Sequence, residues 1–363
     1  MDYNRYFSIY LFYKLGDELH GDLLPGRRRQ SGFEWTKTKI EKLREYATDL
    51  VKINPEIYQE ANYCTPVKLA FINYFTALYT KIISKHYKNM VYVDLLAGCG
   101  INKVQIKDRK GRLQDEEPIV GSPIAAIVAA SNNPFKQIYL AEKDKTKIDT
   151  LKLRIEKLPS EVLPDKSCVK YFNKDCNTAV DKIIREIYEN GPETHSLIIL
   201  DPYAFEVKWE TIKKLLIMQF DKKNAKPIPI RCDIIFTFLQ SEIQRTWGSV
   251  RTGNASREII DKFFGDDSWQ KADTSEKLLE LYVEKLEDMR LESAPEKIVE
   301  RIPIKYKAFE YSLILVTNKT KGGSQWLKAI HSVTEKIKSL RGKEIPIVFD
   351  QIAGRMKTLD EFN

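Results

Sequence analysis

Between Met90 and Phe238 the chain alternates short, almost uninterrupted apolar runs with segments of helical periodicity, and this rhythm limits the fold more than any other feature. The apolar runs are Val91 to Leu96, Gln137 to Ala141, Cys168 to Phe172, Ser196 to Leu200 and Cys232 to Phe238. Between them, Ile124 to Ser131, Lys145 to Leu158, Asn177 to Tyr188 and Trp209 to Phe220 carry apolar residues at helical spacing. Strands apolar on both faces need cover on both, so the pattern predicts an α/β fold with a parallel sheet between helical layers. Right-handed crossovers then make the sheet doubly wound.

The flanks complete the outline. A predicted helix carries Ile40, Leu43, Ala47 and Leu50 and closes at Asn54-Pro55. A second is capped by Thr65 with Pro66 at its first position, its buried stripe formed by Phe71, Tyr74, Leu78 and Ile82. After the fifth strand comes a helical stretch, Gln240 to Glu292, with a turn near Gly265. Strands Lys297 to Ile304 and Tyr311 to Thr317 follow as an antiparallel pair, then a helix from Ser324 to Leu340. The expected division is an N-terminal extension with helices (1–89), a main domain (90–340) carrying a helical insertion (240–292), and a tail (341–363).

Composition narrows the classes. The sequence holds 59 Lys and Arg against 51 Asp and Glu, a net charge of +8 that permits a polyanionic partner without demanding one. Cys64, Cys99, Cys168, Cys176 and Cys232 are scattered without a CxxC pair, which argues against a disulfide framework or a zinc knuckle and for buried thiols in a reducing compartment. No apolar run is long enough to span a bilayer, and the aromatic stretch from Tyr6 to Leu15 lacks the pattern of a signal peptide, so a cytoplasmic protein without a membrane partner is expected. His20, His86, His195 and His331 show no metal-ligand spacing, and no metal is expected.

Four motifs fall at predicted strand ends, where ligands of open parallel sheets bind. The first strand runs into Asp94-Leu95-Leu96-Ala97-Gly98-Cys99-Gly100, a glycine turn whose bare backbone permits close ligand approach. Asp94 can order that turn or meet the ligand through water. Glu142, directly after the second strand, can accept from two ribose hydroxyls, with Asp144 as its rival. Asp175 and Cys176 follow the third strand, where a short acidic side chain can accept from an adenine amino group or cap the next helix. Asp201-Pro202-Tyr203 closes the fourth strand, offering a carboxylate and a carbonyl to an amine and a ring to a planar base.

These residues resemble the paired motifs of amino-methyltransferases acting on bases, written D-x-F-x-G-x-G and D/N-P-P-Y/F. More closely, the chain resembles the three-Cys-motif partner (TcmP) family. That resemblance rests on Asp94 to Gly100, Gly121-Ser122-Pro123, Glu142-Lys143-Asp144, Asp175, Leu200 to Tyr203, Phe263-Phe264-Gly265 and Tyr311 to Thr317. It implies a Rossmann-like, seven-stranded methyltransferase sheet of five parallel strands plus a terminal antiparallel pair. It also implies S-adenosylmethionine as cofactor, held by Asp94, Ala97, Gly98, Gly100, Glu142, Lys143, Asp175 and Cys176, with chemistry at Asp201, Pro202 and Tyr203. The motif departs from the family in having one proline where the pattern has two, and Leu96 stands where glycine or phenylalanine is usual.

The expected reaction is methylation of a nitrogen on a nucleic-acid base, with structured RNA, tRNA above all, preferred and DNA second. Phe238 and Gln240 are expected at the pocket border, and Arg27, Arg28, Arg29 and Lys103 on phosphates, with Lys107, Arg109, Lys110 and Arg112 as further candidates. Two rivals stand beside this: a S-adenosylmethionine-binding module that works with a protein partner without turnover, and a nuclease-like defence protein using Asp94, Asp175 and Asp201 as metal ligands.

Overall fold

The computed structural model describes residues 31–107, 112–217, 219–220, 228–229, 231–295, 297–306, 309–318, 324–338, 347–348 and 351. Its elements are α1 (Gly32–Leu50), β1 (Gln59–Ala61), α2 (Cys64–Ile83), β2 (Asn89–Asp94), β3 (Ile101–Lys107), β4 (Leu113–Val120), α3 (Ser122–Ala129), β5 (Gln137–Ala141), α4 (Lys145–Glu156), β6 (Val169–Phe172), α5 (Cys176–Glu189), β7 (Thr194–Leu200), α6 (Trp209–Leu216), β8 (Gln219–Phe220), β9 (Ile228–Pro229), β10 (Arg231–Phe238), α7 (Gln240–Arg251), α8 (Glu258–Phe264), α9 (Ser275–Ser293), β11 (Lys297–Tyr306), β12 (Phe309–Asn318) and α10 (Ser324–Lys338).

Seven strands form one sheet in the order β11-β12-β10-β7-β2-β5-β6. The β10, β7, β2, β5 and β6 ladders are parallel, while β12 runs antiparallel to both β10 and β11. This is the doubly wound, Rossmann-like α/β sheet expected from the sequence. Its two faces sort their side chains by the period of the strand. On β7, Leu197 and Ile199 join a core shared with α1, α2, α3, α4 and α10. Ile198 and Leu200 join the opposite core, against α5, α6, α7, α8 and α9. Burial on both faces explains why these strands read as continuous apolar runs.

The N-terminal helices belong to the first of those cores. Helix α1 is capped by Ser31, whose hydroxyl accepts from the Glu34 N–H at 3.1 Å, and it buries Ile40, Leu43, Ala47 and Leu50. Helix α2 starts two residues earlier than expected, so Thr65 lies inside it and Tyr63 stands at the cap position, while the side-chain amide oxygen of Asn62 accepts from the Cys64 N–H at 2.8 Å. It is buried on more than one side, and Tyr74 and Ile82 of the expected stripe are only half-buried.

One local element was not expected from the sequence. The glycine turn does not lead straight into a helix: β3 and β4 form an antiparallel hairpin first, and α3 starts only at Ser122. The charged stretch that ends at Glu117, to which no strand was assigned from the sequence, thus supplies β4 from Leu113 on. A third strand, β1, pairs parallel with β3 through Gln59↔Asn102, Glu60↔Lys103 and Ala61↔Val104. The expected helix to Phe220 ends at Leu216, and Gln219–Phe220 pairs with Ile228–Pro229. Among the described residues no helix is long and apolar enough to cross a membrane.

Candidate active site

The C-terminal ends of β2, β5, β6 and β7 meet β1 and the start of α2 around a cavity of about 380 Å3. Glu142, Lys143, Asp175 and Cys176 line one part, and Asp201, Pro202 and Tyr203 another. Three segments far apart in the chain are thereby brought to one wall.

Glu142 is fixed by the strand it follows: its N–H donates to the Phe172 carbonyl at 3.0 Å. Its carboxylate accepts from the Gly98 N–H at 3.1 Å and from the Asp144 N–H at 2.9 Å, so it ties the glycine turn to the second strand end. Each carboxylate oxygen has two lone-pair directions, so both can still accept from a ligand hydroxyl. Asp144 turns the other way and caps α4, accepting from the Lys147 N–H at 3.1 Å. Asp175 caps α5, accepting from the Asn177 N–H and side-chain amide, each at 2.9 Å. Capping and cavity lining are compatible here, as the sequence allows. Burial pushes the neighbouring Cys176 thiol up to about 12, so it faces the cavity as a neutral, weakly polar wall.

Asp94 does not line the cavity. It is fully buried and accepts from the Ser122 hydroxyl at 2.7 Å, the Tyr92 hydroxyl at 3.1 Å and the Leu96 N–H at 3.1 Å. Burial drives its carboxyl up to about 6, partly offset by those three donors, while the charge of Asp201 pushes the same way as burial. Of the two roles open to it, the structure shows the ordering of the turn and of the start of α3. Ala97 lines a smaller cavity of about 40 Å3 that shares Gln59, Thr65, Lys68, Leu96, Asn102 and Asp201 with the larger one. Gly98 and Gly100 line neither; both have positive φ, 61° and 81°. A β-carbon on Gly98 would lie 2.5 Å from the Gln59 side-chain oxygen, so β1 covers the turn closely.

At the other end, Asp201 is paired with Lys68 of α2, with 2.5 Å between Oδ2 and Nζ and both side chains largely buried. Helix α2 is pinned above the sheet edge by Tyr311 of β12, whose hydroxyl donates to the Cys64 carbonyl at 2.7 Å. Tyr203 is 60% exposed at the mouth, its N–H donating to Glu206 at 2.8 Å and its hydroxyl accepting from Arg245 at 3.3 Å. Glu206 also takes the Lys143 ammonium at 3.2 Å, linking the two ends of the cavity.

Other expected site residues sit elsewhere. Phe238 is fully buried against Phe263 and Tyr282, and Gln240 is buried between Glu276 and Ser312. Thr237 and Leu239 border the cavity in their place, a displacement of one residue that follows from strand alternation. Lys103 lies outside the cavity, its ammonium 3.8 Å from the Tyr58 ring centre and 3.8 Å from Glu116. Arg27, Arg28, Arg29, Arg109 and Lys110 lie outside the described residues, as does the Lys107 side chain. The sequence reading missed Gln59, Lys68, Glu206 and Tyr311. Among the described residues, no group of three or more His, Cys, Asp or Glu side chains is placed to hold a metal, and Asp94, Asp175 and Asp201 are not gathered into one.

No protein-family model matches the chain, and no curated protein matches it in sequence. Similar solved structures include a DUF519 family protein of Legionella pneumophila str. Philadelphia 1, 16% identical over 76% of this chain and 93% of that one, with a TM-score of 0.40. A Klebsiella pneumoniae protein provisionally named an O-methyltransferase is 10% identical over 85% of this chain and 97% of that one, at 0.37. A Pyrococcus horikoshii protein provisionally named a transferase is 12% identical over 68% and 64%, at 0.28. At such identities and scores none of these likenesses bears on what the cavity does; the chain's own geometry does.

Proposed function

We propose that the cavity binds S-adenosylmethionine and that the protein transfers its methyl group to a nitrogen of a nucleic-acid base, in structured RNA first and tRNA above all, with DNA second. One observation carries this reading: the strand ends of β5, β6 and β7 set Glu142, Asp175 with Cys176, and Asp201-Pro202-Tyr203 in that order around one cavity. The volume falls in the range of about 300–1,000 Å3 typical of small-molecule sites. Glu142 suits a ribose diol, and Asp175 beside the apolar Cys176 suits the amino edge and face of adenine. S-adenosylmethionine supplies an electrophilic methyl on a sulfonium. The protein's part is placement: Asp201 and the Pro202 carbonyl orient the accepting nitrogen, and Tyr203 offers its exposed ring for stacking. Such positioning contributes up to ~7–11 kcal/mol in well-oriented systems. A base in a duplex would have to leave its stack, at a cost of a few kcal/mol. Assignment to the TcmP family is part of this proposal and rests on the motif residues.

The test is calorimetric titration of S-adenosylmethionine into wild type, Glu142→Ala and Gly98→Asp. The reading expects binding to wild type and its loss in both variants. Absence of binding to wild type at millimolar concentration would refute it. A wild type that binds and labels neither unmodified tRNA nor DNA would favour the binding-module alternative, which the single-proline motif keeps open.

A further inference from the structure

We infer that Lys68 is a specificity-determining residue that completes the acceptor end of the cavity, a role that rests on the methyl-transfer reading above. Lys68 is the one charged residue between Cys64 and Thr80 in a helix otherwise buried on several sides, and its ammonium points into the cavity at Asp201. A long cation held in an apolar helix costs desolvation and side-chain entropy, so its place asks for a reason beyond stability. The single-proline motif supplies one. With one oxygen of Asp201 engaged by Lys68, the pair presents a carboxylate acceptor and ammonium donors side by side, 2.5 Å apart. An acceptor beside a donor complements a base edge on which the reacting amine lies next to a hydrogen-bond acceptor. Asp201 takes an N–H of the amine, and Lys68 donates to the neighbouring ring nitrogen or carbonyl.

The charges of the pair cancel, which suits a neutral nucleophile. The amine lone pair forms the N–C bond as the S–C bond breaks, its electrons staying on sulfur, and the surplus N–H proton passes to Asp201 and then to water. An edge lacking the adjacent acceptor leaves an N–H of the Lys68 ammonium without an acceptor in a largely buried place, and sites built around such bonds reject analogues strongly.

The test measures three quantities for wild type, Lys68→Met, Lys68→Arg and the double variant Lys68→Met with Asp201→Asn. These are affinity for S-adenosylmethionine by calorimetry, the thermal midpoint, and transfer of labelled methyl to unmodified tRNA and to DNA, with the product nucleoside identified by mass. The expected result is cofactor affinity within about twofold of wild type in every variant. Transfer should fall at least about a hundredfold in Lys68→Met, recover in part in Lys68→Arg, and be no higher in the double variant, which also lacks the proton-accepting carboxylate, than in Lys68→Met. The double variant leaves no unpaired charge, so it remains a folded comparison if Lys68→Met melts early. Transfer by Lys68→Met within threefold of wild type would overturn the role of Lys68 and leave the methyl-transfer reading standing. A tenfold loss of cofactor affinity would make Lys68 a cofactor ligand instead. A product methylated on an imide nitrogen or a ribose oxygen would overturn the edge assignment. If wild type neither binds the cofactor nor labels either nucleic acid, the function reading fails and takes this role with it.

Discussion

Replacing Asp94 by asparagine should change the shape of the stability–pH curve in one direction. The buried Asp94 carboxyl sits at about 6, against an ordinary value of 3.8. The native state therefore holds that proton more tightly than the unfolded chain does. The stability it contributes is complete below pH 3.8 and is lost as pH rises through about 6. At about 1.4 kcal/mol per pH unit the whole effect is of order 3 kcal/mol. Other groups titrate in the same window. Asp233, buried and likewise raised to about 6, acts in the same direction. His195 opposes both: burial holds it well below 6.5, so its contribution is complete above 6.5 and is lost as pH falls below that. The raw curve mixes the three, and only the difference between wild type and Asp94→Asn isolates one. Asparagine keeps an acceptor for the Leu96 N–H and turns a donor toward the Ser122 and Tyr92 hydroxyls, either of which can accept. Urea unfolding at pH 4, 5, 6 and 7, with a constant m-value, should show the wild-type advantage shrinking by roughly 2–2.5 kcal/mol from the lowest pH to the highest, since part of the effect lies below pH 4. A difference flat to within about 1 kcal/mol would refute the assignment to Asp94 of a carboxyl whose burial outweighs its three donors.

Three further outcomes follow from packing and exposure. Arg154 is fully buried and donates to the carbonyls of Leu50, Cys99, Ile53 and Asn54, so Arg154→Met should cost at least ~3 kcal/mol in urea unfolding, and an unchanged midpoint would contradict it. Gly100→Ala puts a β-carbon 2.7 Å from Leu151 and 2.8 Å from Ile124 at a φ of 81°, for a loss of about 2–4 kcal/mol in the same assay. Tyr203→Ala should leave stability within ~0.5 kcal/mol and cofactor affinity unchanged, while methyl transfer to the nucleic acid drops about tenfold or more as the stacking face is lost.

The central strands were legible because burial on both faces leaves a signal that survives translation into sequence: Gln137–Ala141 is found within its expected bounds. Strand β2 begins two residues before its expected start, since Asn89 and Met90 join the ladder without extending the apolar run. The hairpin was hidden for the opposite reason. Its outer strand reads Leu-Gln-Asp-Glu-Glu-Pro-Ile-Val, with four consecutive polar residues and no alternation, and only tertiary cover reveals it as a strand. Strand β1, three residues long, is too short for any period to show. The motif residues at strand ends were legible because each lies beside a recognisable strand. Lys68 was not, because its partner Asp201 is 133 positions away, although a lone charge in an apolar helix was the available clue. Thr237 and Leu239 were mistaken for their neighbours since a strand buried on both faces offers no polarity with which to choose between them.

Tyr311 fastens the start of α2 across 247 positions of chain. Contacts of such sequence separation are reached late in folding, because loop closure must precede them. During synthesis the sheet can grow outward from β2, β5, β6 and β7, but the cavity's far wall waits for β12 to emerge and clasp the helix. The cavity thus becomes whole only once β12 has been made, and a nascent fragment holding every strand-end motif would still lack that wall.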